Sequence, residues 1–490
     1  MKLKPLLSVL PFYNVSEPLG DMEISHLEAD SRKVGDGGLF VCVKGYTVDG
    51  HDFAQQAVSN GASAILAEKP MDTSVPVIHV ESTQRAAAVL AAAFHGNPTR
   101  HFPLIGVTGT NGKTTVTYLL ESILNEWGRK TGLIGTIQMK IGQDAYPVNN
   151  TTPDALLLQK TFQQMQKDHV DTAVMEVSSH ALDLGRVHGC DFDIAVFTNL
   201  SQDHLDYHKD MNDYLHAKSL LFAQLGNTYA SDRKKFAVVN DDDPASVVLR
   251  KSTAQHVVTY GCEPSAQVRA TNIELDVTHT TFTMETPVGS IRIDSNLIGQ
   301  FNVYNMLAAG AAAISAGVPL SVIQQSLKQM KGVSGRFEPV HGHTDFAVVV
   351  DYAHTPDSLE NVLETINGFV ENNVYVVVGC GGDRDKQKRP MMASVATSHA
   401  DHVIFTSDNP RTEDPNAILA DMTSGLTGDG FEVIEDRNDA ITHAVQLAEK
   451  GDIILIAGKG HETYQEIGDI RYDFDDRNVA RQAMQVYAGH

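Results

Sequence analysis

No run of about eighteen consecutive apolar residues occurs in the chain, so a membrane-spanning helix is not expected. Cysteine is scarce, and Cys42, Cys190, Cys262 and Cys380 are far apart. Scattered thiols with no metal-ligand spacing fit a reducing compartment better than a disulfide framework. Met1 to Leu10 carries two lysines and a short apolar run, but no small-residue cleavage site follows. A signal peptide is therefore not expected, and the chain reads as cytoplasmic. Positive charge is also short: 38 Lys and Arg stand against 61 Asp and Glu, a net charge of −23. Such a chain repels nucleic acid and anionic lipid, which removes both as expected partners. The same field repels nucleotide phosphates, so any phosphate site must concentrate its own positive potential. Short repeats and low-complexity linkers are absent. So is any Ser-His-Asp or Cys-His arrangement that would argue for an enzyme-bound acyl group.

What is present is a 490-residue chain with 42% hydrophobic residues, enough for two to four ordinary domains. Up to about Asn97-Pro98 the pattern is α/β, with short strands at 39–43 and 64–66. A second block opens on the buried strand 103–107 and continues into a helix from Lys113 to Trp127, stopped by Gly128. Further buried strands are expected at 172–177 and 193–198. Strands alternating with helices at this rhythm predict a parallel sheet. Residues 267–297 differ: Ile273, Leu275, Val277, Thr281 and Phe282 mark a β-rich stretch expected to add antiparallel strands. A third α/β unit starts near Ser334, with strands at 346–350, 374–378, 402–406 and 452–457. The expectation is an α/β protein of three domains, 1–99, 100–333 and 334–490. The central domain should carry a mostly parallel sheet of the P-loop ATPase type with added antiparallel strands, and the last should be Rossmann-like.

The strongest local signal is Thr108-Gly109-Thr110-Asn111-Gly112-Lys113-Thr114-Thr115. It follows a strand and opens a helix, the context a phosphate loop requires. Glycines let backbone N–H groups approach phosphates, the helix N-terminus adds partial positive charge, and Lys113 adds a full one. The Thr114 hydroxyl can reach Mg²⁺. The usual spacing puts a glycine where this chain has Val107, so the loop is a variant. The plainer alternative is a glycine-rich turn with a chance lysine. The variant Gly-Thr-Asn-Gly-Lys-Thr-Thr resembles the ATP loop of the Mur ligases and of their relative folylpolyglutamate synthase.

A second group sits at two other strand ends. Glu176 lies in Met175-Glu176-Val177-Ser178-Ser179-His180, and His204 in the run Asp203-His204 to His208. In open parallel sheets ligands bind beyond the strand carboxyl ends. Glu176 and His204 could therefore converge near the loop on a second Mg²⁺, although imidazole is a less usual magnesium ligand. Singly, a strand-end Glu or His is more often structural. Tyr214 and Lys218 share one face of a helical stretch. The pattern Tyr-x-x-Ala-Lys-x-x-Leu-Phe resembles the Mur segment whose lysine is carbamylated by CO₂. The resemblance therefore implies that Lys218 becomes an N6-carboxylysine and a metal ligand.

The resemblance runs over the whole chain. Asp30-Ser31-Arg32, followed by Gly38-Leu39-Phe40-Val41, is similar to the uridine-nucleotide segment of the first domain and implies that Ser31 contacts a UDP-sugar. Asn150-Thr151-Thr152-Pro153 resembles the loop that grips the muramoyl peptide, with Ser178 and Arg186 as further substrate contacts. Gly299-Gln300-Phe301-Asn302-Val303-Tyr304-Asn305 is similar to the segment whose asparagines meet adenine. Arg336 and Asp351 match residues that reach ATP. Arg384, Asp408-Asn409-Pro410-Arg411, Gly458 and Glu462 match the amino-acid site of the diaminopimelate-adding branch.

The reaction this implies joins meso-2,6-diaminopimelate to UDP-N-acetylmuramoyl-L-alanyl-D-glutamate, with ATP as co-substrate and Mg²⁺ as cofactor, in peptidoglycan precursor synthesis by a monomer. Its rivals are a lysine-adding Mur ligase, folylpolyglutamate synthase, and a nucleotide-gated sensor of cell-wall precursors without activity. A sensor would be expected to lose Lys113, Glu176 or Lys218, and all three are present.

Overall fold

Runs of aliphatic residues without polar alternation mark strands covered on both faces, and this chain uses them in three sheets. The computed structural model describes residues 1–490 except 46–47, 230–232, 276–278, 429 and 489–490. Val277, one of the residues of the β-rich stretch, lies outside the described residues. The first sheet has five strands in the spatial order Asn14–Val15, Val77–His79, Ala62–Ala67, Gly38–Val41 and His26–Glu28. Only its first strand runs antiparallel. The helix Thr83–Phe94 covers it, capped by the Ser82 hydroxyl, which accepts from the Arg85 N–H.

The second sheet has eleven strands. At its centre Leu104–Thr108 lies between Thr172–Glu176 and Ile194–Phe197, all parallel. Alternate side chains enter opposite cores: Ile105, Val107, Val174 and Val196 face the helices Lys113–Glu126 and Gln300–Ser315. Leu104, Met175 and Phe197 face the other way, toward Ala155–Lys167 and Met211–Ala223. Each such fully buried aliphatic side chain contributes roughly 1.5–3 kcal/mol. Val268–Leu275, Thr280–Thr286 and Gly289–Ser295 form the expected antiparallel edge, with a register shift between Thr271 and Glu274. The opposite edge adds a short hairpin, Met139–Ile141 with Asp144–Tyr146, that the sequence pattern does not reveal. Its strands, three residues each, are too short to show a period.

The third sheet has six strands, ordered Glu338–Val340, Ala347–Asp351, Ile453–Ala457, Val374–Val378, His402–Phe405 and Phe431–Val433. Its first strand is antiparallel and the rest are parallel. A separate hairpin, Tyr464–Ile467 with Ile470–Asp473, follows the Ile453–Ala457 strand. Buried Arg437 and Asp476 form a bidentate pair (2.8 Å each), and the same guanidinium donates to the Ala457 carbonyl at 2.9 Å. That pair ties two helix starts to the end of a central strand. No described helix is long and apolar enough to cross a membrane.

Candidate active site

The loops after Leu104–Thr108, Thr172–Glu176 and Ile194–Phe197 leave the sheet on one side, because the strands are parallel neighbours. Gly109 (φ 147°) passes so close to Thr198 that a β-carbon would collide with its hydroxyl, and this lets the loop turn tightly. Asn199 holds the loop: its carbonyl accepts from the Thr110 N–H at 2.8 Å and its Oδ1 from the Asn111 N–H at 2.9 Å. Lys113 lies back across the loop, donating to the carbonyls of Gly109 (3.0 Å) and Thr110 (2.7 Å). Lys218, 1% exposed, also donates to the Gly109 carbonyl at 2.7 Å and sits 4.0 Å from the Tyr214 ring centre. Burial lowers the pKa of both ammonium groups, and Lys113 lowers that of Lys218 further, well below the usual lysine value.

Thr114, opening the helix, donates its hydroxyl to Glu176 Oε2 at 3.1 Å and accepts from Arg336 Nη2 at 3.0 Å. Glu176 is fully buried and also takes the Thr136 N–H (2.8 Å) and hydroxyl (3.0 Å). Thr136 is a site residue that the motifs do not mark. His204 has left-handed backbone (φ 57°), lies 3.5 Å from Asp203 and packs edge-on to His180. Burial lowers its pKa, which keeps the imidazole neutral. The hard oxygens of Thr114 and Glu176 suit Mg²⁺, and a neutral imidazole at His204 can add a nitrogen.

Beside the loop lies a cavity of about 290 Å³ lined by Asn111, Gly112, Thr115, Asn305, Arg336 and Asp351, with Tyr260, Phe301, Tyr304 and Tyr352 as its aromatic walls. A lining of polar groups interleaved with aromatic rings suits a nucleotide. Asn302 lies behind this wall: it donates to the Ile298 carbonyl (2.8 Å) and accepts from Asn305 at 3.1 Å, so it orients Asn305. Arg336 stacks 4.5 Å over Tyr352. Burial raises the Asp351 carboxyl to about 6, and this group accepts from the Phe337 N–H at 2.6 Å. The Asn111 amide also donates to Asp357 at 2.7 Å. Together with Arg336 and Thr114, this contact joins the third sheet's unit to the phosphate loop.

A larger cavity, about 1320 Å³, opens among all three units. Lys44 and Gln84 line it from the first, Asn150, Asp154, Arg186 and Tyr207 from the second, and Arg384, Lys386, Arg411 and Glu413 from the third. Asn150 and Arg186 thus share one space with Arg384 and Arg411. Thr152 is buried and accepts from the Ser178 N–H (3.0 Å), while its carbonyl accepts from Arg186 (2.9 Å); Thr151 meets Thr136 at 3.0 Å. These threonines brace the cavity wall. Ser31 is buried and donates to Gln56 at 2.8 Å, outside the lining.

The remaining amino-acid candidates form a compact cluster. Asn409 donates to Glu462 at 2.8 Å, and Asp408 caps the Asn409 N–H at 2.7 Å. Gly458 (φ 116°) approaches Asp408 so closely that a β-carbon would lie 2.6 Å from its carboxylate. Pro410 separates this cluster from Arg411, which pairs with Glu466 of the hairpin at 3.1 Å and donates to the Gly382 carbonyl at 2.8 Å. Arg384 is exposed and donates to the Asp383 carbonyl at 2.9 Å.

Comparison with known proteins places this geometry. Three family models match in chain order: the Mur ligase family catalytic domain over residues 23–96, the Mur ligase middle domain over 107–313, and the Mur ligase glutamate ligase domain over 335–460. A UDP-N-acetylmuramoyl-L-alanyl-D-glutamate--2,6-diaminopimelate ligase of Oceanobacillus iheyensis is 60% identical over 489 residues, covering 99% of both chains. One of Bacillus cereus is 58% identical over 99% of this chain and 98% of its own. A solved structure of an enzyme with the same name superposes with a TM-score of 0.70 at 34% identity, covering 99% of each chain. Folylpolyglutamate synthase of Mycobacterium tuberculosis shares the fold at 18% identity (TM-score 0.65), covering 76% of this chain and 91% of its own. With a buried phosphate loop at the heart of its site and family matches that together run through all three sheets, the chain belongs to the Mur ligase family of ATP-dependent ligases.

Proposed function

We propose that this ligase joins meso-2,6-diaminopimelate to the D-glutamate carboxylate of UDP-N-acetylmuramoyl-L-alanyl-D-glutamate, converting ATP to ADP and phosphate. The observation that carries this reading is 60% identity, over nearly the full length of both chains, to a ligase of that name. In the same reading residues 1–99 receive the UDP-sugar, 100–333 the ATP and 334–490 the amino acid.

The chemistry follows from the cluster. A carboxylate is a poor electrophile, and phosphorylation turns it into an acyl phosphate with a good leaving group. Lys113 and Arg336 bracket Thr114 and supply positive charge where the transferring phosphoryl group passes. Thr114, Glu176, His204 and Lys218 as its carbamate would hold Mg²⁺. When bound, Mg²⁺ neutralises charge on the phosphates. Carbamylation needs a neutral amine, and burial beside Lys113 disfavours the charged form of Lys218. The amine nitrogen attacks CO₂, an N–C bond forms as one C=O π bond opens onto oxygen, and the N–H proton passes to water; the resulting anion lies next to Lys113. The Asn111–Asp357 and Thr114–Arg336 contacts hold the third unit over the loop and keep water from the acyl phosphate.

Arg384 and Arg411 at the large cavity favour diaminopimelate over lysine, since a guanidinium fork binds the extra carboxylate that lysine lacks. The test is phosphate release from ATP. It should require the UDP-dipeptide and diaminopimelate together, and release that ignores either one contradicts the reading.

A further inference from the structure

Lys459 is 0% exposed, yet no motif used in reading the sequence marks it. A buried ammonium is costly unless it is paired and hydrogen-bonded, and this one is held on two sides. It donates to Asn409 Oδ1 at 2.9 Å and to Glu462 Oε2 at 3.2 Å. Asn409 closes the triangle by donating its amide to the same Glu462 oxygen at 2.8 Å. The Asn409 oxygen takes a second donor, the Glu466 N–H at 2.9 Å, so the amide has one permitted orientation. The Glu462 side chain keeps 13% of its surface exposed, the open edge of an otherwise enclosed carboxylate.

We propose that Lys459 is a positioning residue for amine recognition, its ammonium, together with the Asn409 amide, locking Glu462 into one rigid acceptor for the ammonium of the incoming amino acid. This rests on the reading that Glu462 receives that amino acid. Lysine at 459 does two things at once, and a neutral donor could do only the first. It fixes the carboxylate oxygen that faces inward, leaving the other free for the ligand. It also opposes a second acid: Asp408 lies close enough to repel Glu462, and burial followed by Asp408 raises the Glu462 carboxyl above its ordinary range. The other groups facing Glu462 are Arg437, which is committed to Asp476, and the Tyr352 and Tyr464 hydroxyls. Lys459 is therefore the one cation facing Glu462, among the described residues, that hydrogen-bonds to it directly.

Lys459→Met removes the ammonium while keeping an unbranched side chain of similar length. KM for the amino acid should rise ~10-fold or more, the loss of a charge-assisted hydrogen-bond network. KM for ATP and kcat at saturating amino acid should stay within about twofold. The distinctive readout is pH. Without the cation Glu462 keeps its proton to higher pH, and a neutral carboxyl attracts no ammonium. The acid limb of kcat/KM for the amino acid should therefore move up by about one pH unit, and raising the pH should recover part of the loss. Lys459→Gln retains a neutral donor on a side chain one atom shorter and removes the charge, and it should show the same displaced limb if Lys459→Met does not fold. An unmoved limb in the folded variant, or equal damage to the ATP and amino-acid KM values, overturns the proposal. Glu462→Gln separates the two readings. If it leaves the amino-acid KM unchanged, the site assignment itself fails. If it raises KM while the Lys459 variants do not, the role of Lys459 alone fails.

Discussion

Replacing Lys218 by alanine probes the least ordinary feature of the site. The side chain is buried against Tyr214 and is one of two lysines donating to the Gly109 carbonyl. Truncation removes most of a fully buried side chain and leaves a cavity beside the phosphate loop. By analogy with large-to-small core changes the stability cost is about 2–5 kcal/mol, partly offset because a desolvated ammonium disappears with it. Gly109 keeps Lys113 as a donor at 3.0 Å, so the loop should stay folded. Turnover should nonetheless fall far more than tenfold, beyond ~1.4 kcal/mol in the barrier, because the carbamate anion proposed at Lys218 can no longer form. The cavity then has room for a small carboxylic acid, which restores the negative charge. The assay is turnover of Lys218→Ala against added formate or acetate, with methylamine as the cationic control. Recovery with the acid and none with the amine is expected. Recovery with the amine, or wild-type turnover without either, would show that Lys218 acts as an ammonium or not at all.

Lys113→Ala should lower kcat by at least ~10-fold, read by phosphate release under saturating substrates; near wild-type turnover removes Lys113 from phosphoryl transfer. Arg411→Ala should reduce kcat/KM for diaminopimelate far more than for lysine, since only the diacid offers a second carboxylate to the fork. Equal losses on both would reassign Arg411 to bracing the Glu466 hairpin. Arg437→Ala leaves Asp476 buried and unpaired. Urea unfolding should show a loss of ~3–5 kcal/mol, and a loss below ~1 kcal/mol would mean that water or a rearranged partner replaces the guanidinium.

The strands whose residues are aliphatic on both faces were legible in the sequence, because burial on two sides leaves an unbroken apolar run. Val374–Val378 begins and ends where the pattern places it, and Leu104–Thr108 is offset by one residue. The edge hairpin 139–146 and the hairpin 464–473 were not legible, since strands of only three or four residues, none of them buried on both faces, carry no such pattern. Within the site, the phosphate loop was readable because its chemistry is local: glycine, lysine and threonine act within one turn. Thr136 and Asp357 act through partners tens to hundreds of residues away, Glu176 and Asn111, and nothing adjacent in sequence signals them. Lys459 stands between the marked Gly458 and Glu462, but its bond to Asn409 crosses 50 residues that the local sequence does not reveal. Ser31 and Asn302 show the opposite case. Both were picked out by resemblance, and their side chains bond within the protein, to Gln56 and to Asn305 and the Ile298 carbonyl, outside the cavity linings.

The most direct measurement is the mass of the product made when the enzyme is given ATP, the UDP-dipeptide and an equimolar panel of amino acids that includes meso-diaminopimelate and L-lysine. The account predicts one new UDP-tripeptide, carrying diaminopimelate, with ADP and phosphate in equal amounts. A product carrying lysine, or phosphate released with no tripeptide formed, would contradict it.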